Sequence, residues 1–167
     1  MRNLTIGSEH GEEQLEKDFP DRVRVAGFGW GEERDELFYL PSDDVYLERG
    51  PFGHWNAWCY RVIKFEDKAA VQAWVEIRRT QWTDLEQSVR SLTPGATYQI
   101  HDVEALFPEL EKVAQGGAGE MKAELWYLKS RGIYLEKGPE GKWNFPKYKV
   151  CDFNDAAGVK AWAEKHR

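Results

Sequence analysis

Residues 36–79 and 124–167 can be laid on one another without a gap, and 23 of the 44 aligned positions are identical, where unrelated sequences of ordinary composition would share roughly two or three. The same offset of 88 holds upstream: Arg2, Leu4, Thr5 and Gly7 meet Arg90, Leu92, Thr93 and Gly95, and Phe19-Pro20 meets Phe107-Pro108. Such self-similarity decides the architecture before any local pattern does. Each repeat of ~80 residues is too long for a solenoid unit yet large enough to bury a small core of its own. The sequence therefore predicts a tandem duplication: copy one over residues 1–79, a link over 80–88, and copy two over 89–167.

Because both copies must adopt one fold, their signals can be averaged. Leu37–Leu40 and Leu125–Leu128 are short apolar strands, each followed by a turn, Ser42-Asp43-Asp44 or Ser130-Arg131-Gly132. Next come Val45–Glu48 and Ile133–Glu136, alternating so that Val/Ile and Leu face one way and Tyr and Glu the other. Gly50-Pro51-Phe52-Gly53 and Gly138-Pro139-Glu140-Gly141 supply the backbone angles of a reversal. A third strand is expected from Trp55 to Phe65 and from Trp143 to Phe153, with Pro146 marking an edge or bulge. Asp67 and Asp155 then stand where a carboxylate can cap a helix, and Val71, Trp74 and Val75, matched by Val159 and Trp162, form one face at helical spacing. In copy one this pattern continues through Ile77, Trp82, Leu85 and Val89 until Pro94-Gly95, so the link is expected to be helical, with the copies packed on each other.

The expected fold is thus α+β: each copy a three- to four-stranded antiparallel sheet with its C-terminal helix on one face. The beginning of each copy is harder. Residues 102–106 read as helix. Arg22–Val25 reads as a strand, while its counterpart Leu110–Val113 reads as a helix, and one of the two must give way. A short helix near Phe19 and Phe107, followed by loop or strand, is the expectation.

Apolar residues make up 41% of the chain, with eight Trp, seven Tyr and eight Phe, which is enough for a real core and argues against disorder. Apolar runs are too short to span a bilayer. No apolar segment of signal length follows Met1, so a cytoplasmic protein is expected. Cys59 and Cys151 fall at non-equivalent positions, opposite Lys147 and Ile63, and so read as free, buried thiols. The net charge of −6 is uneven. Copy one carries 11 Lys/Arg against 16 Asp/Glu, the link two acids and no base, and copy two 12 against 11. An acidic chain lacks the phosphate-neutralising surface that nucleic acid requires. Lys129, Arg131, Lys137, Lys142, Lys147 and Lys149 read as solubilising cations on exposed strand faces. An acidic first half would steer a cationic partner.

Motifs for chemistry are weak. His10, His54, His101 and His166 share no repeat position and no ligand spacing, so no metal or other cofactor is implied. Gly27-Phe28-Gly29-Trp30-Gly31 lacks the lysine of a phosphate loop and reads as a flexible connection, in which Trp30 requires either a core slot or a partner. Glu48 and Glu136 are the paired carboxylates, one per copy. They would serve a glycosidase only across a shared cleft, and are expected on the wet face of their strands. No nucleophile motif is present. The paired Trp55/Trp143 and Trp74/Trp162 suit a core. Trp30, Trp58 and Trp82 have no tryptophan opposite them, and either fill the seam between the copies or serve a contact that copy one makes alone.

These features predict a non-catalytic binding protein, of inhibitor or immunity type, for a cationic protein partner such as a toxin or enzyme. Asp43, Asp44, Glu48, Trp58 and Trp30 are its expected contact residues, with no catalytic or metal site and no nucleic-acid or membrane partner. The alternative is a small-molecule or carbohydrate module using Tyr46, Tyr134 and Trp126 as an aromatic platform; a cleft bringing Glu48 and Glu136 together would instead point to an enzyme.

Overall fold

The computed structural model describes residues 4–53, 57–119, 122–139 and 146–167. His54, Trp55, Glu140, Gly141, Lys142 and Trp143 lie outside the described residues, and so do the expectations placed on them. The chain is α+β and divides into two compact units, Met1–Asp84 and Leu85–Arg167. No helix among the described residues is long and apolar enough to cross a membrane.

Unit one contains β1 (Glu9–His10), α1 (Glu12–Asp18), β2 (Val23–Phe28), a single 3-10 turn at Gly31–Glu33, β3 (Asp35–Leu40), β4 (Val45–Gly50) and β5 (Cys59–Ile63). Helix α2 (Lys68–Ser91) follows, and the division between the units falls inside it. Unit two contains β6 (Thr97–Tyr98), α3 (Ile100–Leu106), β7 (Glu111–Gly116), β8 (Ala123–Leu128), β9 (Ile133–Pro139), β10 (Pro146–Val150) and α4 (Ala156–Lys165). The five-stranded sheets have orders β1-β5-β4-β3-β2 and β6-β10-β9-β8-β7, and neighbouring strands in both run antiparallel.

The ladders match in register. Glu36 faces Arg49 across β3–β4, and Glu124 faces Lys137 across β8–β9. Even the irregularity is shared: the register shifts between Arg24 and Ala26 in one sheet and between Lys112 and Ala114 in the other. Each shift adds one residue to an outer strand, which twists it and makes it a poor template for further pairing.

Each sheet is larger than the expected three or four strands, because the two-residue β1 and β6 carry no alternation that a sequence pattern can register. The third strands are shorter than expected, at Cys59–Ile63 and Pro146–Val150. Pro146 opens its strand instead of interrupting it, a position that needs no N–H. The conflict between 22–25 and 110–113 resolves as strand in both units. Leu110–Val113 has helix-forming residues, but pairing of Glu111 and Lys112 with β8 outweighs that weak local preference. Gly27 and Phe28, expected in a flexible connection, are part of β2.

Helices cover both faces of each sheet, not one. Leu15 and Phe19 from α1 and its C-terminal cap pack with Leu40, Leu47, Tyr60 and Val62. In unit two, Val103 and Phe107 pack with Leu128, Leu135, Tyr148 and Val150, joined by Val89 and Leu92 from the end of α2 and beyond. On the opposite face Trp162, Val159 and Ala163 of α4 pack with Ala123, Leu125 and Tyr134. Strand alternation creates the two faces: Leu47 and Leu135 point to one, Tyr46, Glu48, Tyr134 and Glu136 to the other. Asp67 and Asp155 cap as expected, accepting hydrogen bonds from the N–H of Ala70 at 2.9 Å and Gly158 at 2.8 Å.

Candidate functional site

The turn between β3 and β4 holds two of the expected contact residues, and it differs between the units. Both turns require a residue in the left-handed region just before the second strand. Unit two uses Gly132, with φ of 63°, whereas unit one uses Asp44, with φ of 52°. A side chain there costs roughly 1–2 kcal/mol that glycine avoids, although Asp tolerates it better than most. In return, Asp44 is placed at the mouth of a cleft of about 370 Å³. Tyr39, Tyr46 and Phe65 line it with aromatic rings, Asp44, Glu66 and Asp67 with carboxylates, and Lys64 and Lys68 with ammonium groups.

The walls support one another. Tyr39 and Tyr46 are directly opposed across β3–β4, with ring centroids 5.0 Å apart, and Phe65 meets Tyr46 edge-on, also at 5.0 Å. The Tyr39 hydroxyl donates to Asp44 Oδ1 at 3.0 Å. This bond, with minor desolvation, raises the tyrosine's pKa and keeps the hydroxyl a donor. Asp43 is exposed on the same turn; the Ser42 hydroxyl lies 2.6 Å from Asp21 and 2.7 Å from Asp43. Carboxylates beside aromatic faces are the surroundings an ammonium or guanidinium group favours.

The other expected contact residues are placed differently. Glu48 is not on a wet face: its side chain is 13% exposed, beneath α2. It accepts from the Trp74 indole N–H at 2.7 Å and from Arg78 at 3.1 Å. Glu136 is held in the same way by the Trp162 indole N–H. These carboxylates tie the C-terminal helix of each unit to its sheet, so Glu48 does not lie on the wet face expected of it. Trp30 has its slot inside unit one, edge-on to Trp82 at 5.0 Å, and Trp82 donates to Asp35 at 2.6 Å. Gly29 permits this closeness, because a Cβ there would stand 2.6 Å from the Trp82 ring. Trp58 is half-buried, with the Arg49 guanidinium 5.1 Å from its ring centre. Tyr134 lies on the sheet face beneath α4 and Trp126 on the opposite face, beneath α3, so within unit two these rings do not share a face.

One constellation escaped sequence reasoning. Glu36 is nearly buried and takes a hydrogen bond from Tyr60 at 2.8 Å, with Arg34 at 3.2 Å, Arg24 at 3.5 Å and Arg49 at 3.9 Å. Its counterpart Glu124 has Lys122 at 3.2 Å and Lys112 at 3.4 Å, and faces Lys137 across the ladder. Burial opposes charge on Glu124, but hydrogen bonds from Lys122, Trp126 and Lys112 prevail and lower its pKa. Burial, then the hydrogen bond to Glu36, pushes the Tyr60 hydroxyl far up. Burial and the nearby charge of Glu104 do the same to Tyr148. The signal was available: Arg24/Lys112, Arg34/Lys122 and Arg49/Lys137 are basic at all three repeat positions, with Glu and Tyr retained.

Both cysteines are free. Burial raises the Cys59 thiol and pushes Cys151 up to about 12, with Glu136 adding to the effect. Among the described residues, no group of three or more His, Cys, Asp or Glu is arranged to hold a metal ion. Comparison with protein-family models, with curated proteins and with solved structures finds no significant match to this chain.

Proposed function

We propose that this chain is a non-catalytic binding protein, of inhibitor or immunity type, whose first unit seizes a lysine or arginine side chain of a cationic protein partner. The observation that carries the reading is Asp44: its carboxylate is held in left-handed backbone at the cleft mouth, where the otherwise matching turn of unit two has glycine. Unusual backbone kept at a cost directs attention to function. The acidic balance of residues 1–79 would speed the encounter. Asp43 and Asp44 remain the proposed contacts at the cleft, and Trp58 is proposed as a separate contact beside Arg49. The reading includes an origin by tandem duplication of one unit, supported by identical strand order and a shared bulge. It also includes a cytoplasmic setting, supported by two unpaired thiols.

The test uses short fluorescent oligo-lysine and oligo-arginine peptides, titrated against the whole chain at low and high salt. Asp44→Lys is expected to weaken binding at least ~tenfold, a change of about 1.4 kcal/mol, and salt should weaken the parent chain similarly. Capture from native lysate would then identify the partner, with Asp43→Lys and Asp44→Lys as controls. Peptide binding that both substitutions leave unchanged overturns the reading.

A further inference from the structure

In unit two the basic trio around Glu124 is arranged differently from its arginine counterpart, and the difference opens a recess. A cavity of about 230 Å³ is lined by Lys122, Glu124, Lys137 and Gly138. Lys112 and Lys122 reach the same oxygen, Glu124 Oε1, at 3.4 and 3.2 Å. Lys137 turns instead to Glu104 Oε1 at 3.1 Å, an oxygen that also accepts the Tyr148 hydroxyl at 3.0 Å. Among the described residues, these three ammonium groups share two carboxylates, an excess of one positive charge. Each ammonium has three donors, and the carboxylates engage only part of them.

Unit one closes the same arrangement. Arg49 is 3% exposed, and its Nη1 donates to the Arg34 carbonyl at 2.7 Å. Arg34 in turn bridges Glu12 at 2.8 Å and Glu36 at 3.2 Å. Planar guanidinium forks consume their donors in fixed directions, whereas an ammonium on a flexible stem can turn to a new oxygen. The lysines of unit two are correspondingly open, with Lys122 46%, Lys112 44% and Lys137 24% exposed. Lys137 is nevertheless kept in place, its ammonium 5.5 Å from the Trp126 ring centre and 5.4 Å from that of Tyr148.

We propose that this recess binds a small multiply charged oxyanion, phosphate or a polycarboxylate, through Lys122 and Lys137, with Lys112 at its rim. The site belongs to unit two and does not rest on the cationic-partner reading of unit one. Nuclear magnetic resonance titration of the whole ¹⁵N-labelled chain tests it. Inorganic phosphate and citrate are added separately at ionic strength matched with chloride. Saturable shifts are expected at the Lys122 and Lys137 amides and the Trp126 indole N–H, with Kd near ~1 mM or tighter. The arm that saturates at lower concentration names the oxyanion. Lys122→Gln with Lys137→Gln should weaken binding at least ~tenfold. The unchanged remainder of the spectrum serves as the check on folding. The proposal is overturned if neither anion gives a saturable response, if chloride gives the same one, or if the glutamine pair binds as the parent does.

Discussion

Units one and two share the register of their ladders yet use charge in opposite ways. Around Glu36, unit one packs arginines that close upon one another; around Glu124, unit two places lysines that stay open. At the β-turn the roles reverse. Unit one carries an acid in the left-handed position and builds a cleft behind it, and unit two has glycine. The helices that follow differ too. Trp74, Arg78 and Trp82 lie one turn apart along α2 and engage Glu48 and Asp35. After α4, His166 stands at the position that Arg78 occupies in unit one, stacked at 4.3 Å on Trp162, which makes the corresponding bond, and with its Nε2 4.0 Å from Glu136. The backbone tolerates such exchange because strand pairing and the alternating Leu, Val and Tyr positions specify the sheet, while polar groups at the ends of the ladder are free to diverge.

The strongest way to break this comparison is to remove the central cation from each unit. Arg49→Ala removes a buried guanidinium and its bond to the Arg34 carbonyl, while Glu36 keeps Tyr60, Arg34 and Arg24, and is expected to cost about 1–3 kcal/mol. Lys137→Ala removes a more exposed group and should cost about 1 kcal/mol or less. Denaturant unfolding of both variants measures the gap, and equal losses would mean that the two clusters are equivalent after all. Next comes the tie between helix and sheet. Trp74→Phe and Trp162→Phe each keep a ring but delete a hydrogen bond to a carboxylate, worth about 1.5–3 kcal/mol. Similar losses in the two units would support a common role for Glu48 and Glu136. A smaller and equal effect is expected at the caps, about 1 kcal/mol each for Asp67→Ala and Asp155→Ala, read from thermal unfolding.

The smallest effects concern protons. Because Glu124 is held below the usual carboxylate range, it adds stability that is present above its unfolded pKa of about 4.5 and is lost as pH falls through the folded value. Glu124→Gln should therefore flatten the acid limb of the stability curve. A limb unchanged by the substitution would remove Glu124 from the account. The Cys151 thiol, pushed up to about 12, should alkylate far more slowly in the folded chain than in denaturant at pH 9, because so little of it is thiolate. A rate equal to that of the unfolded chain would show that burial does not govern it.

Much of this molecule can be read without coordinates. The strands at Leu37–Leu40 and Leu125–Leu128, the turns after them and the capped helices follow from alternation, glycine placement and Asp67 and Asp155, all of which act over a few residues. The gapless offset of 88 also aligns the rungs of one ladder with their counterparts in the other. Local reasoning failed where the deciding partner is distant in sequence. Leu110–Val113 is a strand because β8 lies beside it, and β1 and β6 exist only through pairing with β5 and β10. The same holds for the candidate sites. Asp44 was legible as an acid on a turn, but the cleft needs Phe65 and Asp67 from beyond β5 to form its other wall. Glu48 looked wet because strand alternation distinguishes two faces without saying what covers them, and α2 covers that one. The basic residues around Glu36 and Glu124 come from three separate strand ends and connections. Patterns of one strand or one helix are written into neighbouring residues, whereas burial and charge pairing depend on groups that only the folded chain brings within a few ångströms.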